Sequence, residues 1–310
     1  MIALPDVDTL MSGGLADWLQ SKTAERAKAR EKVLWTGIGG VVVAALVALI
    51  LGFAGVSIQF VGFAAIAIGG GAFAWAAHIR KTMVDSLKAE MNGAVAKALS
   101  IDYSVGCTPG TEFELAEQFG LLPDHDDSYF EDRWHGDIGG TEFLLYEAKL
   151  TEERGSGKNR RTVTVFEGVV LQFKFARDFL GTTLVRRDGF KFSLFGDDKS
   201  FGDVRLERVK MVDPRFEDAF DVYSNDQVEG RYLVHPSYCE RLLELERDFS
   251  GSDLAALFHG GYLIVTIKAE KMFESATLDP AEDRALLAKT IDQFGSMARL
   301  ITLLNERPRG

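Results

Sequence analysis

Two stretches of this chain carry residue types able to do chemistry. FDVYSNDQVEGRYLVHP, Phe220 to Pro236, sets hydroxyl, carboxylate, amide and guanidinium groups between apolar runs, and PDHDDSYFEDRWHGD, Pro123 to Asp137, gathers His125, Asp126, Asp127, Asp132, His135 and Asp137. Oxygen and imidazole groups of the second kind suit a divalent ion, with His125, Asp127, His135 and Asp137 as the candidate ligands of a metal-assisted hydrolase. Against that reading, the stretch has neither a helical H-x-x-x-H nor a calcium-loop spacing, and a carboxylate-rich turn before a strand is commonly just solvated. No metal or other cofactor is therefore expected.

The first stretch reads mainly as helix-start chemistry. Ser224 and Gln227 form an S-x-x-Q capping box, in which the serine oxygen accepts the amide three residues on and the glutamine side chain returns the bond. Asp226 and Glu229 suit the positive end of that helix, and Arg231 can pair with either or with Asp221. Pro236 opens a second helix whose Tyr238, Leu242, Leu245 and Phe249 share a face. A binding or catalytic role for the stretch is the weaker alternative.

Other catalytic signatures are missing. The chain has no G-x-S-x-G, phosphate-loop or dinucleotide fingerprint, and Gly69, Gly70 and Gly71 lie inside an apolar block. His259 beside Gly260 and Gly261 marks a turn more than a base. Cys107 and Cys239 are far apart, which predicts free thiols without metal-ligand spacing or a recognisable base partner. Without nucleophile, base and orienter at recognisable positions, an enzyme is the less favoured class.

What positions these groups is a chain of two characters. No Asp, Glu, Lys or Arg occurs between Lys32 and Arg80, where two apolar blocks, LWTGIGGVVVAALVALILGFA and FVGFAAIAIGGGAFAWAAHI, flank the short link GVSIQ. Each block has about 20 residues, enough to cross a bilayer. Lys22, Arg26, Lys28, Arg30 and Lys32 precede the first and Arg80, Lys81 and Lys88 follow the second, which places both termini in the cytoplasm. In the first span Gly40, Ala44, Ala48 and Gly52 recur every four residues, and the second offers Gly62, Ala65 and Gly69. Such faces let helices approach closely, as a hairpin or between subunits. Beyond the second span Val84, Leu87, Met91, Val95 and Ala98 form an apolar stripe for a partner helix.

Four segments follow from this: 1–32 a cytoplasmic juxtamembrane helix, 33–79 two transmembrane helices, 80–99 a cytoplasmic linker helix, and 100–310 a soluble domain. The formal charge of -11 falls entirely beyond Ile79, because the residues before it hold equal numbers of acids and bases. That surplus opposes nucleic-acid binding and broad adhesion to anionic lipid.

In the soluble part Thr111 and Glu114 form a capping-box pattern before a short helix ending near Gly120. YFEDRWHGDI and TEFLLYEAKL, joined by Gly139 and Gly140, predict a β-hairpin. TVTVFEGVVLQFKF alternates Val169, Leu171, Phe173 and Phe175 against Val170, Gln172 and Lys174, one buried face and one partly solvated. TTLVRR, LERVKMV and GYLIVTIKA add strands, TEERGSGKNRRT reads as a charged hairpin tip, and PRFEDAF reads as a helix followed by extended DVYS. Asp279, Pro280 and Glu282 suit the start of a last helix with Leu287, Ile291, Phe294, Ile301 and Leu304 along one side. The expected fold class is α+β: a transmembrane helical hairpin followed by a mainly antiparallel sheet with flanking helices.

VYSNDQVEGRYLVHP, with the preceding VDPRFEDAF and the later LFHGGYLIVTI, resembles the bacterial domain-of-unknown-function family 3137, some members of which carry the automatic name galanin. The family's usual form is close to VYSDDQVEARYLLTP, from which this chain departs at Asn225, Gly230, Val234 and His235. On that resemblance Tyr223, Ser224, Asp226, Gln227, Glu229, Arg231, Tyr232 and Pro236 are family-motif residues, read here as structural. Gly230 is expected to weaken a helix interior and His235 to weaken an N-cap. The resemblance extends over most of the chain and implies a two-span protein of the bacterial inner membrane, but brings no established activity. The expected function is a membrane-anchored cytoplasmic interaction or scaffold module. Its partners would be the bilayer through residues 33–79 and one or more proteins, with self-association open and no nucleic acid. The partner surface is expected on the last helix and the loop after Gln118, with the basic tip of Arg154, Lys158, Arg160 and Arg161 as a competitor for lipid or an acidic partner.

Overall fold

The protein is described by a computed structural model, which covers residues 4–175, 178–187, 198–210, 219–269 and 272–305. The chain divides into two compact units, one built mainly of Val95–Phe273 with Lys289–Gly310 and the other of Asp6–Ala94 with Glu274–Ala288.

The helical unit holds α1 (Val7–Met11), α2 (Gly14–Phe53) and most of α3 (Ile58–Leu99). No proline occurs between Pro5 and Pro109, so nothing interrupts the hydrogen-bond ladder of either long helix. The charged stretch Leu15–Lys32 and the first apolar block accordingly form one rod, as do the second block and its continuation to Leu99. α2 stops in a Schellman turn, the Gly55 amide bonding the Gly52 carbonyl and the Val56 amide the Leu51 carbonyl, each at 3.1 Å. Both helices are long and apolar enough to cross a membrane. They touch at Gly40, where a Cβ would stand 2.2 Å from that of Ala72, so glycine is what permits the approach. Of the expected small-residue face, Gly40 and Ala44 are buried and Gly52 is exposed. Leu87, Met91 and Val95 of the α3 stripe are fully buried; Ala98 is exposed.

Residues 274–288 complete this unit through ion pairs. Arg26 meets Asp283 at 2.6 Å with both side chains buried, Lys88 meets Glu274 at 3.2 Å, and Asp8 meets Arg284 at 2.5 Å.

The other unit is a ten-stranded antiparallel sheet with helices on it. In chain order it contains β1 (Asp102–Gly106), α4 (Thr111–Gln118), β2 (Asp127–Ile138), β3 (Thr141–Arg154), β4 (Arg161–Lys174), β5 (Thr183–Arg187), β6 (Asp198–Phe201), β7 (Val204–Arg208), β8 (Phe220–Ser224), α5 (Gln227–Leu233), α6 (Pro236–Asp248), β9 (Ser252–His259), β10 (Tyr262–Lys268) and most of α7 (Asp283–Asn305). The strand order is β1-β2-β3-β4-β10-β9-β5-β8-β7-β6. The α+β class expected from the sequence is the one found.

The Gly139–Gly140 hairpin forms as predicted, Ile138 pairing Thr141 across two residues of positive φ, 62° and 84°. Strands β1, β6 and β9 have no counterpart in the sequence reading. β4 also differs from it, because Val170 is as buried as Val169 and Leu171. One face of the central strands packs under α4 in a cluster with Phe113, Phe119, Tyr146, Val170 and Ile264. The other carries Trp134, whose ring lies 4.5 Å from Phe294 and 5.4 Å from Phe273. A sheet covered on both sides loses the polar half of its alternation. α4 forms where expected but without the Thr111 cap. Gly110 is the N-cap residue, and Glu112 accepts its amide at 2.7 Å. The helix expected over PRFEDAF lies outside the described residues except for its end, where Phe220 already belongs to β8.

Candidate functional site

The family-motif stretch forms a polar node between the end of β8, α5 and the segment 180–183. Ser224 is the last residue of β8, pairs with Thr183 of β5, and is fully buried. Its hydroxyl lies 2.9 Å from the Thr183 hydroxyl and 2.8 Å from the Asp226 carbonyl, and it accepts the Asp226 amide at 3.1 Å. Asn225 Oδ1 accepts the Thr182 amide at 2.7 Å. The Glu229 carboxylate takes the amides of Leu180 and Gly181, one on each oxygen, at 3.0 and 2.7 Å. These bonds staple residues 180–183 to the motif. Tyr223 packs in the core beside Leu184 and Leu206, and Pro236 opens α6.

The capping reading of the motif is corrected in one respect. The cap of α5 is Asp226, whose Oδ1 accepts the amides of Val228 and Glu229 at 3.0 and 2.9 Å. Ser224 is inside the sheet ladder, and among the described residues the Gln227 side chain makes long bonds to the Glu207 and Ser224 carbonyls, 3.3 and 3.4 Å. Asp221 pairs with Arg208 at 2.8 Å, and Arg231 is exposed. Gly230 does more than weaken a helix, because a Cβ there would stand 2.9 Å from that of Ser224. His235 caps α6 by accepting the Ser237 amide on Nδ1 at 3.3 Å, so the substitution keeps a cap. Asp226→Ala should therefore cost about 0.5–2 kcal/mol, and Gln227→Ala no more than about 0.5 kcal/mol. Thermal melting of the detergent-solubilised chain checks this, and equal losses would restore the serine–glutamine box.

Beside the node, Thr182 Oγ1 lies 2.9 Å from His259 Nδ1, and burial lowers the basicity of that imidazole. A neutral histidine against a hydroxyl is half of a nucleophile arrangement. Thr182 is buried, however, and among the described residues no carboxylate orients the ring.

The acidic and histidine cluster is not brought together. Asp127 and Asp137 sit at opposite ends of β2, roughly 33 Å apart at about 3.3 Å per residue. His125 faces Glu117 at 3.6 Å, His135 faces Asp102 at 3.6 Å, and Asp137 accepts the Gly140 amide of the hairpin turn. The structure instead collects Glu131, Asp132 and Glu147, whose carboxylate oxygens lie within 4.8 Å of one another. Tyr103 donates to Asp132 at 2.6 Å. Hard oxygen ligands of this kind suit Mg²⁺, Ca²⁺ or Mn²⁺. Counting outward from the glycine turn puts Glu131 opposite Ala148; the bulge between Glu131 and Trp134 shifts it to Glu147, so the trio follows from the strand register of the fold. Burial pushes the Cys107 thiol up to about 11, which leaves it unreactive at neutral pH, and Cys239 is buried. At the basic tip Arg154 pairs with Glu152 and Arg160 with Glu153.

With this geometry established, the family described as "Protein of unknown function (DUF3137)" matches residues 164–306. The chain resembles that family there. The matched residues hold most of β4, β5 to β10, the node and α7, and begin after both long helices, a narrower extent than the motif implied. No curated protein sequence matches the chain. Among solved structures, the crystal structure of the mycobacterial trehalose monomycolate transport factor A, TtfA, aligns at 11% identity over 73% of this chain and 98% of that one. Its TM-score of 0.37 is too low for the likeness to bear on fold or function.

Proposed function

We propose that the chain is a membrane-anchored cytoplasmic interaction module, held in the bilayer by α2 and α3 and recognising a protein through its sheet unit. The observation that carries this reading is the split exposure of the motif. Glu229, Gly230 and Leu233 are buried, while Val228 is 78% exposed, Tyr232 one turn later is 48% exposed, and Leu180, held by Glu229, is 82% exposed. A stapled node that turns apolar and aromatic side chains outward, with Arg231 between them, has the composition of an interface anchor. The acidic surplus beyond Ile79 favours a protein over nucleic acid.

A photo-reactive residue at position 228 is expected to give one discrete adduct in cells, lost when Leu180→Asp is added. Scattered or absent adducts, with the folded protein present, would refute the reading. For the anchor, a reporter active only in the cytoplasm is expected to work at either terminus. A stable but inactive C-terminal fusion would overturn the orientation.

A further inference from the structure

The helical unit contains a cleft of about 560 Å³ between α2 and α3, beside the point where the charge-free blocks begin. That volume falls within the roughly 300–1,000 Å³ of small-molecule sites. α2 supplies Lys28, Lys32 and the small, buried Ala29, and α3 supplies Trp75, Ile79 and Met83, with His78, Thr82 and Ser86 on the same face. The antiparallel contact of Gly40 with Ala72 sets the levels. Lys32 is level with Arg80, which lies outside the cleft lining, and Trp75 lies about 8 Å further into the apolar block at 1.5 Å per residue. The cleft is thus cationic at its polar end and aromatic and aliphatic at its membrane end. Glu25 also lines it, but its carboxylate is taken by Lys22 at 2.8 Å. Among the described residues Lys28 and Lys32 have no ion-pair partner. Trp75, 60% exposed and 5.9 Å from the His78 ring, is of the residue type that settles at headgroup level.

We propose that this cleft binds an anionic phospholipid, its phosphate held between the ammonium groups of Lys28 and Lys32 and its first acyl segment lying along Trp75 and Ile79. Basic recesses between membrane helices on the cytoplasmic side select anionic headgroups in this way. Ser86 adds a hydroxyl beside the phosphate, whereas the Thr82 hydroxyl donates to the His78 carbonyl at 3.0 Å, and Ala29 leaves room for the headgroup. The proposal rests on α2 and α3 lying in a bilayer, and is independent of the protein-partner patch.

The test uses the full chain, purified in detergent and exposed to equal amounts of phosphatidylglycerol and phosphatidylcholine, with bound lipid read by native mass spectrometry. Wild type is expected to retain phosphatidylglycerol selectively. Lys28→Gln with Lys32→Gln is expected to weaken retention about 30-fold, taking about 1 kcal/mol per basic residue. Arg30→Gln with Arg80→Gln, outside the cleft lining, is expected to leave retention close to wild type. Equal retention of the two lipids would overturn the site, as would equal losses in the two double variants. Displacement by millimolar glycerol 3-phosphate would also overturn it, in favour of a free-phosphate site. A chain released from membranes by high salt without detergent would remove the anchor and the site together, whereas a chain that needs detergent but holds no phosphatidylglycerol removes only the site.

Discussion

Arg26→Ala is expected to destabilise the helical unit by about 3–5 kcal/mol, because it strands a buried carboxylate. Arg26 is 0% exposed and Asp283 nearly so, and they meet at 2.6 Å. Yet Arg26 Nε and Nη2 and Asp283 Oδ1 have no hydrogen-bond partner among the described residues, so the pair is incompletely satisfied. Burial raises the Asp283 carboxyl above the usual carboxylate range; Arg26 pulls the other way, while Asp279 and Glu282 add to the rise. Desolvation therefore outweighs the attraction. It follows that Arg26→Met combined with Asp283→Leu should be neutral or stabilising by about 1–4 kcal/mol. The pH dependence has a definite sign. The fold holds the Asp283 proton more tightly than the unfolded chain does, so this contribution to stability is present below 3.8 and is lost as pH rises through the raised folded value. Melting of the detergent-solubilised chain across that acid window should show the difference between wild type and the double variant moving against wild type as pH rises. A double variant as unstable as Arg26→Ala would show that the pair is net stabilising.

Glu229→Ala is expected to cost about 3 kcal/mol or more, since bonds to a charged acceptor contribute about 1.5–3 kcal/mol each and this carboxylate receives two amides. Glu229 is buried, and its removal leaves the Leu180 and Gly181 amides without their acceptor. Glu229→Gln keeps one carbonyl acceptor and should lose about half as much. Leu180→Asp, at an exposed position, should change stability by no more than about 0.5 kcal/mol. If Leu180→Asp abolishes the adduct of the probe at position 228 while melting is unchanged, and Glu229→Ala abolishes the adduct and lowers melting, the buried half of the node holds the patch and the exposed half makes the contact. Unchanged melting in Glu229→Ala would remove the stapling role.

Part of the node was legible and part was not, for a reason visible in its residues. In the run S-N-D-Q any of the first three side chains can cap a helix, and spacing alone favours Ser224 with Gln227. Which one does so depends on where β8 ends, and that is decided by the pairing of Ser224 with Thr183, 41 residues earlier. Glu229 looked like a charge at a helix start, whereas its partners Leu180 and Gly181 come from the far side of four strands in sequence. The histidine and aspartate cluster failed as a set because a strand carries neighbours in sequence apart along its axis. The carboxylate trio forms instead across the hairpin, where register brings Glu131 to Glu147.

The sequence by itself determined the two long apolar helices, the glycine hairpin, the α+β class and the start of α7, because each rests on interactions within a few residues: an uncharged run, positive-φ glycines, a proline after a capping aspartate. Only the tertiary structure decided that both faces of β4 are covered, that Asp226 rather than Ser224 caps α5, and that Asp283 closes on Arg26 across 257 positions. These depend on which segments meet, and that choice is made by burial of apolar area across the whole chain, to which no local pattern gives access.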